Sequence, residues 1–452
     1  MKPGILIAYF VKHDEACEAF AKLQKKGHRR IAWVNKSLEG IVRTKDPFRW
    51  RLIFGAVAAF ILLGALTGIL QMSFQHSGLT PDRYPSNLIY ILMGGFIGIV
   101  LSFAWIRRSK FGIDRDLLAN HARWLVSGET VIILQGSIET LRLPFTILIE
   151  SGDTPPAVFV LHPRRVGPIG EDWSSDGASF NLVQFQDHAR YLATEHQLDP
   201  KPIRNTNLLK RLEQGRRWVQ DICLDLSEAS RLQQSIPPTT DWLLDNEYIL
   251  ESNANDVRLN LPRQFYRQLP ALASEKDYGL PRIYGLAREL AAHADLSLDQ
   301  ENILAFIEAY QSVEPLSIGE LWAVPQILRT ALIEGIQKLA GRALSDLREG
   351  EIANFWANRL ITVDRRYPHQ LFSIMAEMTE TQPNPSSYFA AQLIDYLYDD
   401  RTALAPVQSW LENIFHKSLN ELRLREKNRQ AKDQISIGNA FFSLRQLALI
   451  DW

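Results

Sequence analysis

Two glutamates, Glu320 and Glu334, are the first residues to test for chemistry, because glycoside hydrolysis uses a pair of carboxylates as acid and as base or nucleophile. Both lie in neighbouring segments whose apolar residues recur at helical spacing. Glu320 follows Gly319 near an expected helix start, where acidic side chains are common because the helix dipole stabilises them. Spacing along the chain does not measure the distance between the two carboxylates. We therefore expect structural roles from this pair.

A short acidic pair and an arginine-rich string are the next candidates for chemistry. Asp114 and Asp116 form the D-x-D pattern that holds a metal-chelated nucleotide sugar, and residues 214–218 (QGRRW) match the Q-x-x-R-W string of processive glycosyltransferases. Such an acidic pair should end a strand of a nucleotide-binding domain, whereas Asp114 stands where a helix N-cap belongs. The QGRRW string lies inside a helical pattern. We therefore interpret both as helix caps and solvated helix surface.

The composition of the chain excludes several function classes. The net charge is −1 and the isoelectric point is about 6.8, so no field attracts nucleic acid. The two cysteines, Cys17 and Cys223, are far apart and support neither a disulfide framework nor a thiolate metal site. The histidines are scattered, and His293 and His369 fit ordinary polar or capping roles. The sequence predicts no catalytic residue, no cofactor and no metal ligand.

Aromatic and arginine side chains between residues 261 and 339 are candidates for binding rather than catalysis. Aromatic rings at helical spacing most often pack in a core, but they also stack on sugar rings and anchor interfaces, as arginines do. These alternatives stay open on the sequence alone. The candidates for interface or glycan contact are Phe265, Tyr266, Tyr284, Trp322 and Arg329.

The first 162 residues alternate between apolar runs and amphipathic segments, which predicts a small α/β domain. Strands are expected at 5–10, 30–35, 130–134 and 157–161, and helices at 14–26, 114–126 and 137–150. This order of elements predicts a small α/β sandwich.

Two uncharged runs, 52–70 and 88–106, interrupt this domain. Each has close to the roughly 20 residues that a helix needs to cross a bilayer, so we expect a two-helix transmembrane hairpin. Basic residues flank its outer ends and are scarce in the connecting loop, which places both ends of the chain in the cytoplasm. The sequence therefore predicts a multi-pass membrane protein with the lipid bilayer as a partner.

The second part of the sequence is helical. Residues 163–179 are rich in proline, glycine and serine without periodicity, which indicates a linker. From 180 to 452, helical periods alternate with proline-containing breakers, and no credible strand pattern occurs. The clearest apolar stripe consists of Ile327, Leu328, Leu332, Ile333 and Ile336. We predict an irregular all-α cytoplasmic domain here, and an α+β membrane protein as the fold class of the whole chain.

Several blocks of this helical part occur in a fixed order. They are DWLLDN at 241–246, LPRQFYRQLPAL at 261–272, GLPRIYGLARELAAHAD at 279–295, QISIGN at 434–439 and DW at 451–452. Their succession over 180–452 resembles the segment of cyclic β-1,2-glucan synthases that precedes their glycosyltransferase domain. That family builds a linear β-1,2-glucan from UDP-glucose, and none of its catalytic motifs falls in this span. Residues 1–162, including FGID at 111–114, are weakly similar to small bacterial membrane-inserted stress-protein domains of unknown function, a similarity that implies a ferredoxin-like fold. The two resemblances together imply a location in the bacterial inner membrane.

The resemblance implies a membrane-anchored, non-catalytic part of a cyclic β-1,2-glucan synthase-like glycosyltransferase system. Its expected partners are a glycosyltransferase domain or chain following residue 452, and glucan itself. The alternative function is that of a stand-alone membrane scaffold or regulatory protein with no glycan role.

Overall fold

Two compact units make up the chain, one over residues 1–163 and one over 164–452. The computed structural model describes residues 4–46 except 29 and 38, seven scattered positions between 58 and 125, 127–151, 156–168 except 164 and 166, 179–199, 207–273, 278–450 and 452. The two units are described one at a time.

The first unit is built on a five-stranded antiparallel sheet. Its elements are β1 (Gly4–Phe10), α1 (His13–Lys25), β2 (Ile31–Lys36), β3 (Val42–Lys45), β4 (Thr130–Gly136), α2 (Ile138–Ile149) and β5 (Ala157–Leu161). The strand order is β3-β2-β4-β1-β5. Strand β4 is central, and its neighbour β1 pairs with both β4 and β5, so Ile7 lies between Ile133 and Phe159. Since α1 follows β1 and α2 follows β4, the strands form a split β-α-β arrangement.

The residue types of the strands explain why the sequence predicts four of the five strands and misses β3. The strands expected at 5–10, 30–35, 130–134 and 157–161 correspond to β1, β2, β4 and β5, whose apolar side chains are largely buried. In contrast, β3 (VRTK) is exposed at every position. It is an edge strand with polar residues, so no apolar pattern predicts it.

The predicted transmembrane hairpin is corrected by the structure. Among the helices of the described residues, none combines the length and the apolar character needed to span a bilayer. The runs 52–70 and 88–106, apart from two single positions, lie outside the described residues. Hydropathy reports the composition of a run, whereas spanning requires one continuous helix of about 20 residues. The fold class is therefore corrected to a mostly helical chain with a small antiparallel sheet, and the prediction of a multi-pass inner-membrane protein is wrong with it.

The second unit consists mainly of helices. They are α3 (Leu182–Glu195), α4 (Asn207–Arg231), α5 (Thr239–Asn260), α6 (Arg263–Tyr266), α7 (Arg282–His293), α8 (Gln300–Gln311), α9 (Ile318–Arg366), α10 (Leu371–Thr381), α11 (Ser387–Leu397), α12 (Arg401–Phe415) and α13 (Leu419–Gln446), with a 3₁₀ helix at Pro368–Gln370. Two strands of two residues each, β6 (Leu198–Asp199) and β7 (Ala271–Leu272), pair with each other. They are too short to leave a sequence pattern.

The 49-residue helix α9 is the central element of the second unit. A capping box fixes its start, because the Ser317 hydroxyl accepts from the Glu320 backbone N–H and the Glu320 carboxylate accepts from the Ser317 backbone N–H. Between Ala323 and Leu347 most side chains are buried, since α4, α5, α7 and α13 pack around the helix. The predicted apolar stripe from Ile327 to Ile336 is buried, which confirms that part of the sequence analysis.

Two glycines let α4 lie close against α9. A Cβ atom on Gly215 would lie 2.0 Å from Nε2 of Gln337, and one on Gly341 would lie 2.6 Å from Cη2 of Trp218. Neither separation is compatible with close-packed atoms, and Gln337 is fully buried. Larger side chains at these positions would therefore force the helices apart.

Candidate functional site

A half-buried arginine, Arg211, and a buried tyrosine and glutamate join α4, α7 and α9. Arg211 donates from Nε to Oε1 of Glu334 at 2.8 Å and from Nη2 to the Tyr284 hydroxyl at 2.7 Å. The same hydroxyl donates to Oε2 of Glu334 at 2.5 Å. Both carboxylate oxygens therefore have strong hydrogen-bond partners, one of them charged.

Burial is the main influence on the pKa values of Glu334, Tyr284 and Arg211. It raises the pKa of Glu334, against the charge of Arg211, and it raises the pKa of Tyr284. Burial acts to lower the pKa of Arg211, but the charge and hydrogen bond of Glu334 together with the two tyrosines outweigh it, and the pKa is raised. The neighbouring Tyr266 also has its pKa raised by burial. At neutral pH both tyrosines thus keep their protons and Arg211 keeps its charge, which suits a fixed structural contact.

A second buried ion pair links the start of α7 to the start of α9. Arg282 donates from Nε to Oε1 of Glu320 at 2.8 Å and from Nη2 to Oε2 at 2.6 Å. Its Nη2 also donates to the carbonyl of Pro315 at 3.1 Å, and the guanidinium lies 5.8 Å from the centre of the Tyr310 ring. Glu320 and Glu334, the two carboxylates that resembled a catalytic pair, are thus each held by their own arginine.

A basic cleft of about 590 Å³ lies along α4, the end of α5 and the start of α6. It is lined by Leu209, Lys210, Leu212, Glu213, Gln214, Arg217, Ala254, Arg258, Leu261, Pro262 and Arg263. Four of these side chains are cations and one, Glu213, is an anion that accepts from Arg217 at 2.8 Å. A cleft of this size suits a small molecule, and its charge suits an anionic group.

The QGRRW string belongs to this region but is explained by helix packing. Gly215 contacts α9, and the ring of Trp218 covers Gly341. Arg216 is held by Glu213 and by Glu251 through charge-assisted hydrogen bonds of 2.7–3.1 Å. Gly215, Arg216 and Trp218 therefore join α4 to its neighbours, whereas Gln214 and Arg217 are exposed along the cleft. Residues 114 and 116, the acidic pair, lie outside the described residues.

The aromatic candidates for binding occupy different environments. Tyr266 and Tyr284 are fully buried beside Glu334, and Phe265 is partly buried and packs against the core of the second unit. Trp322 is 75% exposed on the first turns of α9. The sequence did not separate these cases, because core and surface aromatics share the same helical spacing.

The arginine candidate, Arg329, is a buried residue of α9. It donates from Nε to Oδ1 of Asn253 at 3.0 Å and from Nη2 to the carbonyl of Leu447 at 3.3 Å. Its burial lowers the pKa of its guanidinium. Arg329 thus ties α9 to α5 and to the end of α13.

Three side chains on α3 and α7 have the spacing that a metal ion requires. His188, Glu289 and His293 each offer one ligand atom, and these atoms lie within 4.8 Å of one another. The sequence analysis gave His293 an ordinary polar role. Glu289 and His293 lie four positions apart on one helix face, which was the available signal for two ligands. His188 is 101 positions before Glu289, so only the fold brings it there.

Comparison with known proteins supplies a relationship for part of the chain. No family model matches it. It is 34% identical over 221 residues to the cyclic β-(1,2)-glucan synthase NdvB of Rhizobium meliloti (strain 1021). Over that stretch the chain is related to a glucan synthase. The stretch is 48% of this chain but 8% of that synthase, so the chain spans less than a tenth of its relative. The family resemblance predicted from the sequence is confirmed to that extent.

Proposed function

We propose that the helical unit is a non-catalytic part of a cyclic β-1,2-glucan synthase-like system, and that it holds a glycosyltransferase segment in place. The similarity to NdvB supports the glucan-synthase context. The observation that carries the non-catalytic role is the pairing of Glu320 with Arg282 and of Glu334 with Arg211. Each carboxylate has both oxygens hydrogen-bonded to neighbouring side chains, so it serves packing rather than proton transfer.

The surface proposed for docking the transferase lies at the start of α9. Ile318, Leu321 and Trp322 occupy positions i, i+3 and i+4, so they share one face of the helix. All three are exposed, and Trp322 is 75% accessible. Exposed tryptophans with apolar neighbours are frequent anchors of protein interfaces. We call these three residues the α9 surface.

The transferase is the occupant that the comparison favours. NdvB is a much longer protein than its matching stretch, so most of that synthase lies outside the region shared with this chain. We infer that a segment shared with such a protein packs against the rest of it. The competing function, a scaffold or regulator with no glycan role, would use the same surface for an unrelated partner.

The absence of catalysis is tested with the purified 452-residue chain and radiolabelled UDP-glucose in the presence of Mg²⁺ or Mn²⁺. We expect incorporation of glucose into polymer to stay at the level of a protein-free sample. Glucan formation that Arg217→Ala or Asp116→Ala abolishes would overturn the proposal, because it would assign catalysis to the two strings discounted above.

Docking is tested by the affinity of the chain for the purified glycosyltransferase segment of a cyclic β-1,2-glucan synthase. Trp322→Ala should weaken binding at least tenfold, as expected for loss of an interface anchor. Phe372→Ala is the matched control, since Phe372 is an aromatic residue of α10 with 76% exposure. Equal binding by wild type and Trp322→Ala, with both folded by circular dichroism, would remove the α9 surface from the proposal.

A further inference from the structure

The geometry points to a binding site for one divalent transition-metal ion, of which Zn²⁺ is the prototype, formed by His188 of α3 and by Glu289 and His293 of α7. Two imidazoles and one carboxylate are a known ligand set for zinc, with the fourth position left to water. This site lies apart from the cleft and the α9 surface, and it does not depend on the proposed function.

The distances between the ligand atoms suit a tetrahedral ion. Oε2 of Glu289 lies 3.3 Å from Nε2 of His188 and 3.7 Å from Nε2 of His293. Metal bonds of about 2.0–2.1 Å at tetrahedral angles place ligand atoms roughly 3.3–3.4 Å apart. The third pair of ligand atoms lies within 4.8 Å. Small side-chain rotations would therefore bring all three atoms to one ion.

The two imidazoles are held in different orientations by aromatic neighbours. The ring of Phe180 stacks on His293 with centroids 3.8 Å apart and planes 7° apart. The same ring meets His188 edge-on, and the two imidazoles are themselves inclined by 72°. Rings that cross in this way can direct one nitrogen each at a common point.

Charges near the site act on a bound cation in both directions. His293 is the last residue of α7, where the negative end of the helix dipole lies. The guanidinium of Arg288 lies 3.7 Å from the other carboxylate oxygen of Glu289, Oε1, so it leaves Oε2 directed at the histidines while its charge acts against a bound cation. The three ligand side chains are 18–28% exposed, so an ion and a water molecule have access.

Metal binding by this cluster involves the loss of protons but no redox step. The ion takes the Nε2 lone pairs of His188 and His293, and any proton on those nitrogens is released to solvent. The ion would then join α3 to α7 in addition to the backbone hydrogen bond from Phe180 to the His293 carbonyl.

The test is a titration of the metal-free 452-residue chain with Zn²⁺ against a chromogenic chelator, repeated with Co²⁺ for its visible absorption. We expect one high-affinity equivalent, a Co²⁺ spectrum of tetrahedral intensity, and a rise in melting temperature on Zn²⁺ addition. His188→Gln and His293→Gln should each weaken binding at least tenfold, and Glu289→Gln should weaken it as well.

His369→Gln changes an exposed histidine outside the cluster and should bind Zn²⁺ like the wild type. Glutamine keeps a hydrogen bond to Glu289, so His188→Gln should remain folded by circular dichroism. Failure of the wild type to bind Zn²⁺, or equal affinity in the wild type and both histidine variants, would overturn the site. Equal affinity would assign the bound ion to other surface histidines.

Discussion

Removal of Arg282 should destabilise the second unit strongly, because it leaves the Glu320 carboxylate buried without its partner. Arg282 is 3% exposed and Glu320 is 0% exposed, and two hydrogen bonds of 2.8 and 2.6 Å join them. Breaking a buried pair from one side costs about 3–5 kcal/mol. We therefore expect Arg282→Met to lower the free energy of unfolding by that amount.

The double variant Arg282→Met/Glu320→Met separates the pair from its individual residues. Replacing both partners of a buried pair by apolar side chains is often neutral, so stability should return to within about 2 kcal/mol of wild type. The remaining deficit includes the lost capping contact with Ser317, which is worth about 1 kcal/mol. A double variant more stable than the single one is the signature of an uncompensated buried charge.

Urea unfolding followed by circular dichroism at 222 nm measures these differences, since most of the described helices lie in the second unit. Arg190→Met is the matched control: Arg190 pairs with Asp187 on the surface, where both side chains are about half exposed or more. It should cost less than about 1 kcal/mol. The reasoning is refuted if Arg282→Met stays within 1 kcal/mol of wild type, or if the double variant is no more stable than Arg282→Met.

Two further predictions concern packing and pH. Gly215→Ala should lower the free energy of unfolding by about 1–3 kcal/mol, because the new Cβ would meet the buried Gln337. Gly319→Ala is the control and should cost little stability, since its Cβ would lie 3.8 Å from Phe265. Equal urea midpoints for the two variants would contradict this. Burial raises the pKa of Asp346 from 3.8 to about 7, so between these pH values the folded state holds a proton that the unfolded state has lost. The stability that this carboxyl group contributes therefore falls as pH rises from about 4 to 7, by at most about 4 kcal/mol. Asp346→Asn should therefore gain stability relative to wild type between pH 4.5 and 7.5 in urea unfolding, and parallel pH profiles would contradict the assignment.

The sequence predicted a helix or strand correctly wherever a local periodic pattern of apolar residues determined which side chains are buried. The apolar residues of β1 and the stripe from Ile327 to Ile336 fix their elements locally, so both predictions agree with the structure. The exposed strand β3 has no such pattern. The start of α9 was visible, but its length to Arg366 was not, because Pro325 lies inside the helix and no strong breaker marks the end of the stripe.

The candidate site was harder to predict from the sequence, because its contacts join residues that are distant along the chain. Arg211 and Glu334 lie 123 positions apart, and sequence spacing alone did not reveal that an arginine pairs with each glutamate. For the aromatic candidates, burial of Tyr284 and exposure of Trp322 follow from where the neighbouring helices pack. The hydropathy of 52–70 and 88–106 led to a membrane prediction that the structure does not support.

The central claim is a role in β-1,2-glucan synthesis, and the amount of β-1,2-glucan in cells that naturally produce this chain measures it most directly. Disruption of the gene should abolish or strongly reduce this glucan, and a wild-type copy should restore it. A copy with Trp322→Ala should restore less glucan than one with Phe372→Ala, at equal protein levels by immunoblot. Unchanged β-1,2-glucan after gene disruption would contradict the account and favour a scaffold or regulatory role without glycan.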